Sequence, residues 1–215
     1  MTLHAELYFS FRSPYSYLAI GRYRALADMF DVEIALRPVY PLAIRQPDFF
    51  ERNHPNWLGY TMRDMVRVAA FHDIPFAAPN PDPVKQDMAT RKIAEDQPHI
   101  HWLTRLGQVA ARHGKGLAFA DEAARQIWGG TAGWHEGDHL QRAAESAGLS
   151  WTSMEQAAET DAATLDAEIT ANQQALEEAG HWGVPTLVFD GEPFFGQDRI
   201  EMVLWRMNEK GLAER

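Results

Sequence analysis

Tyr8-Phe9-Ser10-Phe11-Arg12-Ser13-Pro14-Tyr15-Ser16-Tyr17-Leu18-Ala19 decides how the chain is read. Its first half ends a run with apolar or aromatic residues at Ala5, Leu7, Tyr8, Phe9 and Phe11, the pattern of a buried strand. From Tyr15 the apolar positions switch to helical spacing, at Tyr15, Leu18, Ala19 and Tyr23. A strand therefore feeds straight into a helix. Ser13 stands at the N-cap and Pro14 at the first helical position, where a missing N–H costs nothing and the fixed φ already suits the helix. The Ser13 hydroxyl is thus predicted to lie over a helix N-terminus, whose unpaired amides and dipole stabilise nearby negative charge by about 0.3–1 kcal/mol. An oxyanion or a thiolate suits that place, and so does simple capping.

Outward from this stretch, Val32-Glu33-Ile34-Ala35-Leu36-Arg37-Pro38 alternates with period two and predicts a second strand, giving a β-α-β opening. A loop is predicted over 40–56, and Leu58, Met62, Met65, Val66 and Ala69 mark a helix that ends before Pro75. Further helices are predicted at about Lys85–His113, Phe119–Trp128, His135–Ala147 and Thr164–Glu178. Gly183–Phe189 then reads as a strand, Asp190-Gly191 as a hairpin turn, Pro193-Phe194-Phe195 as the return strand, and Ile200, Val203, Leu204 and Met207 as one stripe of a closing helix. This order predicts an α/β class protein with a thioredoxin-like fold of the DsbA/kappa type carrying a large helical insertion. Residues 1–40 and 180–215 form the thioredoxin-like domain in this reading, and 41–179 the helical insertion domain.

The 215 residues carry a formal net charge of −10, with no Lys or Arg between Arg142 and Arg199, which argues against nucleic acid or an anionic membrane as partner. No window of apolar residues is long enough to span a bilayer, and no basic segment precedes an apolar run at the N-terminus, so a cytoplasmic protein is expected. There is no cysteine, which excludes disulfides, thiolate metal ligands and a cysteine nucleophile. Any thiol chemistry must use a borrowed thiol.

Three motifs in order, Phe11-Arg12-Ser13-Pro14-Tyr15-Ser16-Tyr17-Leu18-Ala19, Gly183-Val184-Pro185-Thr186 and Phe194-Phe195-Gly196-Gln197-Asp198-Arg199, resemble the 2-hydroxychromene-2-carboxylate isomerases and kappa-class glutathione transferases, relatives of the DsbA oxidoreductases. The resemblance spans nearly the whole chain. It implies glutathione as cofactor, with Ser13 in place of the first redox cysteine and holding the glutathione sulfur. Val184, before a proline that is cis in the family (here Pro185), pairs its backbone with the tripeptide; Gln197 and Asp198 bind the γ-glutamyl end; Asn53 matches an asparagine of the glutathione site. It also implies a small electrophilic or aromatic second substrate and a homodimer. The sequence departs from the pattern at Ser10, where the family has an acid, and ahead of Tyr60-Thr61-Met62-Arg63-Asp64, where a lysine is missing and Trp57 lies nearby. The activity implied is that of an isomerase or a glutathione transferase. The alternative is a non-catalytic DsbA-like module that binds peptides or proteins without redox cysteines.

His135-Glu136-Gly137-Asp138-His139 is a literal H-E-x-x-H, the arrangement that lets two imidazoles one helical turn apart share zinc. It sits at the start of a short helix with a glycine inside and no flanking apolar run, so a solvated helix start is preferred to a zinc hydrolase and no metal is predicted. His99-Ile100-His101 reads as partly exposed histidines, and Arg63, Asp64 and Arg67 as surface ion pairs. Trp182 borders the expected thiol site.

Overall fold

The first strand, β1 (Leu3–Phe9), sits at the centre of a four-stranded sheet of order β2-β1-β3-β4 because its residues are buried on both faces. Ala5, Leu7 and Phe9 face the main core, while Tyr8 packs with Val39 and Leu176 on the other side. The computed structural model describes residues 1–49, 53–87, 90 and 92–215. β1 runs parallel to β2 (Val32–Pro38), from Leu3 opposite Val32 to Phe9 opposite Pro38, and antiparallel to β3 (Thr186–Phe189). β3 turns through Asp190 and Gly191, both at positive φ as a tight hairpin turn requires, into β4 (Glu192–Phe195).

The helices among the described residues are α1 (Pro14–Met29), α2 (Leu42–Arg45), α3 (Pro55–Phe71), α4 (Ile100–Arg112), α5 (Gly116–Trp128), α6 (His139–Ser146), α7 (Trp151–Thr160), α8 (Ala162–Glu178) and α9 (Ile200–Glu209). None is long and apolar enough to cross a membrane. The main core runs from the sheet through α1 into α4, α5 and α6, where Leu103, Leu106, Phe119, Ala123, Ile127 and Leu140 are buried. Phe11 joins the two parts: its ring meets Phe9 and Phe119 edge-on, at 5.1 and 6.1 Å between centroids.

The β-α-β opening, the hairpin and the closing helix fall where the sequence predicts them. The helix expected from Lys85 begins only at Ile100. Pro98 disfavours helical backbone at Gln97, and the Gln97 amide instead ties a loop together: it accepts from Lys85 N–H and donates to the carbonyls of Lys85 and Ala94. Met88, Ala89 and Arg91 of that expected helix lie outside the described residues, as do residues 50–52 of the expected loop. The helix expected from His135 begins at His139, because Gly137 takes a left-handed φ of 61°. Conversely, α7 forms where a turn was expected: Ser150 accepts from Ser153 N–H as N-cap, and Met154 and Ala158, one turn apart, are buried.

Gly107 of α4 lies against Phe11 so closely that an added Cβ would fall 2.6 Å from the ring. Gly107→Ala is therefore expected to destabilise the fold by about 1–3 kcal/mol despite the better helix propensity of alanine; an unchanged or higher midpoint in urea unfolding would show that the Phe11 ring has room to move.

Candidate functional site

The N-terminus of α1 and the loop before β3 meet. Ser13 has the extended backbone of an N-cap (φ −88°, ψ 115°), and its Oγ accepts from Ser16 N–H at 3.2 Å. The same hydroxyl donates to the Val184 carbonyl at 3.3 Å, and the Val184–Pro185 peptide is cis. Ser13, Val184 and Pro185, far apart in sequence, are thus neighbours. The Val184 N–H has no partner among the described residues, and its side is half-open to solvent.

The backbone on either side of Val184 is clamped at several points. Thr186, fully buried, donates its hydroxyl to the Gly183 carbonyl at 2.8 Å; Gly196 N–H donates to the Pro185 carbonyl at 2.9 Å; Gly183 N–H donates to His181 Nδ1 at 2.9 Å. Arg45 donates from Nε to the Tyr40 carbonyl at 2.7 Å and from Nη2 to the Trp182 carbonyl at 3.0 Å. Its Nη1 is buried without a partner among the described residues, and burial holds its pKa below the usual guanidinium range. A row of rings borders the loop: Trp57 on Phe49 (5.9 Å), Phe49 on Trp182 (5.3 Å), Trp182 on His181 (5.4 Å) and His181 on Phe195 (4.0 Å).

On the other flank, the Tyr15 hydroxyl donates to Asp64 of α3 at 2.8 Å, and Arg67 pairs with the same carboxylate at 3.2 Å. Burial first, and then the bond to Asp64 and the charges of Asp64 and Asp198, push the Tyr15 phenol far above its usual range. Asp64, read from the sequence as a surface residue, therefore anchors the first turn of α1. Gln197 and Asp198 lie in the turn between β4 and α9. Arg22 donates to the Gln197 carbonyl at 2.9 Å and reaches its side-chain oxygen at 3.5 Å, and Asp198 pairs with Arg199 at 2.5 Å. Neither caps α9, whose N-cap is Arg199 without a side-chain bond. Asn53 donates to the Phe49 carbonyl at 2.6 Å, and the Phe49 ring in turn meets Trp182 of the site.

Arg12, beside Ser13, is bonded twice to Asp82, at 3.0 and 2.9 Å, and to Gln86 at 3.2 Å. Ser10 is buried with its hydroxyl unpartnered. The H-E-x-x-H residues do not share a helix face. His135 precedes α6 and its ring contacts His99 at 4.4 Å, while His139 Nδ1 lies 2.8 Å from Arg142 Nη2. Among the described residues no three potential metal ligands gather.

Sequence reasoning missed Arg45, His181, Arg22 and the role of Asp64. Only His181 carries a local signal, a ring two residues ahead of a glycine amide. Thr186→Val, which keeps the shape but leaves the Gly183 carbonyl bare, is expected to cost about 1–3 kcal/mol in chemical unfolding; no loss would mean that the loop does not depend on this bond.

A family model described as the DSBA-like thioredoxin domain matches residues 5–208. No curated protein sequence matches the chain. Among solved structures, it is similar to a 2-hydroxychromene-2-carboxylate isomerase (TM-score 0.70, 20% identity, covering 96% of this chain and 95% of that one). It is also similar to the cytosolic disulfide reductase DsbM from Pseudomonas aeruginosa (TM-score 0.61, 15% identity, covering 97% and 99%), solved as well with GSH.

Proposed function

The chain belongs to the DsbA-like thioredoxin domain family, and from that premise we propose that it is a glutathione-dependent isomerase or transferase in which Ser13 steadies the thiolate of bound glutathione. The reading is carried by one observation: the Ser13 hydroxyl, over the N-terminus of α1, meets the Val184 carbonyl beside cis-Pro185 in a chain without cysteine. Exchange between thiols and disulfides needs an attacking thiolate, so this chain cannot perform it with its own groups. The surroundings that lower a thiol pKa, a helix start and a hydroxyl donor, are nevertheless present.

The polar groups left open fit a tripeptide thiol. Val184 has a free N–H and a carbonyl whose partner is Ser13, the donor and acceptor that an extended peptide strand needs. Ser13 has a single proton to give. A peptide N–H donated to the Val184 carbonyl replaces that bond and frees the Ser13 hydroxyl for sulfur. Lowering a thiol pKa by one unit takes about 1.4 kcal/mol, within reach of one hydrogen bond to a charged group together with a helix terminus. Asp198 supplies a carboxylate for the γ-glutamyl ammonium, and Gln197, fixed by Arg22, supplies polar groups for its carboxylate. The bound thiolate supplies a nucleophile that adds to a conjugated electrophile and either leaves after bond rotation or stays with the product. The stacked Trp182, His181 and Phe195 rings give that electrophile an apolar edge to lie against.

Titration of the protein with millimolar glutathione is expected to release heat and raise the ultraviolet absorbance of thiolate. Ser13→Ala is expected to retain binding within about tenfold and to lose the thiolate signal at neutral pH, an effect worth about 1–2 kcal/mol. Binding without a thiolate signal in the unmodified protein would instead make it a peptide-binding module, and an absence of binding would end the glutathione reading.

A further inference from the structure

The loop that carries Val184 is held by a titratable ring. Gly183 N–H donates to Nδ1 of His181, 2.9 Å away, and because Nδ1 accepts, the neutral ring carries its proton on Nε2. The ring lies stacked on Phe195 at 4.0 Å and on Trp182 at 5.4 Å. Gly183 fits so tightly in between that an added Cβ would stand 2.6 Å from the Phe195 ring and 3.0 Å from that of His181. On its other side Gly183 is bound through its carbonyl by Thr186. The Trp182–Gly183 peptide is therefore held at its carbonyl by Arg45 and at its N–H by His181, and the Gly183–Val184 peptide at its carbonyl by Thr186; of these three side chains His181 is the imidazole, the group whose ordinary pKa lies near neutral pH.

We infer that His181 is a positioning residue of the thiol site, whose neutral imidazole holds Gly183 and Val184 in register with Ser13 and whose protonation lets them go. The ligand part of this inference rests on the glutathione reading; the brace is a property of the free protein. Protonating the ring places a hydrogen on Nδ1, so that a donor faces the Gly183 donor and the bond is lost. Burial of the ring holds its pKa below the ordinary imidazole value, against a smaller upward pull from the Gly183 backbone. Charged groups on the surrounding elements are Arg45 of α2, Glu177 and Glu178 at the end of α8, Glu192 of β4, and Asp198 and Arg199 ahead of α9, and none of them contributes to that shift. With the folded pKa lowered, the brace is fully present above about pH 6.5 and is lost only as the pH falls through the lowered value.

Asparagine at this position separates the two roles, since its side-chain oxygen can accept from the N–H two residues on, as in an Asx turn, and does not titrate. The expected result in the free protein is a nitrogen-15 spectrum of the His181 ring with bare Nδ1 and protonated Nε2 at neutral pH, and a Gly183 amide resonance that moves as the ring titrates. Affinity is then measured with S-methylglutathione, whose sulfur does not ionise. Wild type is expected to weaken by about fivefold to tenfold as the pH falls through the ring pKa read from that spectrum, His181→Ala to bind weakly by a similar factor at every pH, and His181→Asn to bind like neutral wild type with a flat profile. A proton on Nδ1 at neutral pH, full affinity in His181→Ala, or a wild-type pH profile in His181→Asn would each overturn the inference. S-methylglutathione failing to bind wild type at any pH would overturn its ligand part together with the glutathione reading, and the ring spectrum tells that outcome apart from failure of the brace.

Discussion

The start of α1 is held from several sides, and the candidate site depends on that. The Phe11 carbonyl accepts from Trp128 Nε1 at 2.9 Å, the Phe11 ring is wedged between Phe9, Phe119 and the bare Cα of Gly107, and Arg12 is bound twice to Asp82. Two residues of strand-to-helix junction are thus gripped by α4, α5 and the loop ahead of α4 before the chain reaches Ser13. A hydroxyl on so fixed a backbone keeps its direction without further support. The helical segments between β2 and β3 have a mechanical task here, because they supply Gly107, Phe119 and Trp128 and so hold the helix start against the proline loop.

The opposing loop is fixed by a different means. Where Phe11 is held mainly by packing, Gly183, Val184 and Pro185 are held mainly by polar contacts: Thr186, His181, Gly196 and, one residue earlier, Arg45. The contrast follows from what each side has to do. A helix start acts through its field and can be buried in hydrocarbon up to the cap. In the proposed reading the loop is a strand-like docking edge, which needs one N–H and one carbonyl within reach of a ligand while the backbone groups around them are satisfied from behind. Each such bond is worth only about 1 kcal/mol net, and among the described residues the Val184 N–H is left without one.

The local parts of this arrangement were legible in the sequence, and the long-range parts were not. The strand ending at Phe9, the Ser13-Pro14 helix start and the Asp190-Gly191 turn are decided by residues next to one another, and each formed where expected. That Ser13 faces Pro185 followed from the order of elements and from the family resemblance. Three readings failed because a local rule met a stronger competitor: Pro98 and the Gln97 amide stopped a helix before Ile100, Gly137 separated His135 from the helix of His139, and Ser150 started α7 inside an expected turn. Asp64 looked like half of a surface ion pair and is that as well, but its second partner, Tyr15, lies 49 positions away, which no spacing rule can show. Arg45 reaches Trp182 across 137 positions and is hidden for the same reason.

Ser10 matters for the charge balance at this helix start. The family resemblance places an acid there, and this chain has a buried neutral hydroxyl instead. A carboxylate about 6 Å from a thiolate, at an effective dielectric of about 20, would oppose it by roughly 3 kcal/mol, or about two pKa units. That exceeds the roughly 1 kcal/mol that a helix terminus contributes. Asp82, which binds the neighbouring Arg12, is neutralised by two bonds from it. With Ser10 uncharged, Asp82 paired to Arg12 and Asp64 to Arg67, the carboxylates named around this helix start are each offset by a cation, which in the proposed reading leaves the field of α1 to favour a thiolate held at Ser13.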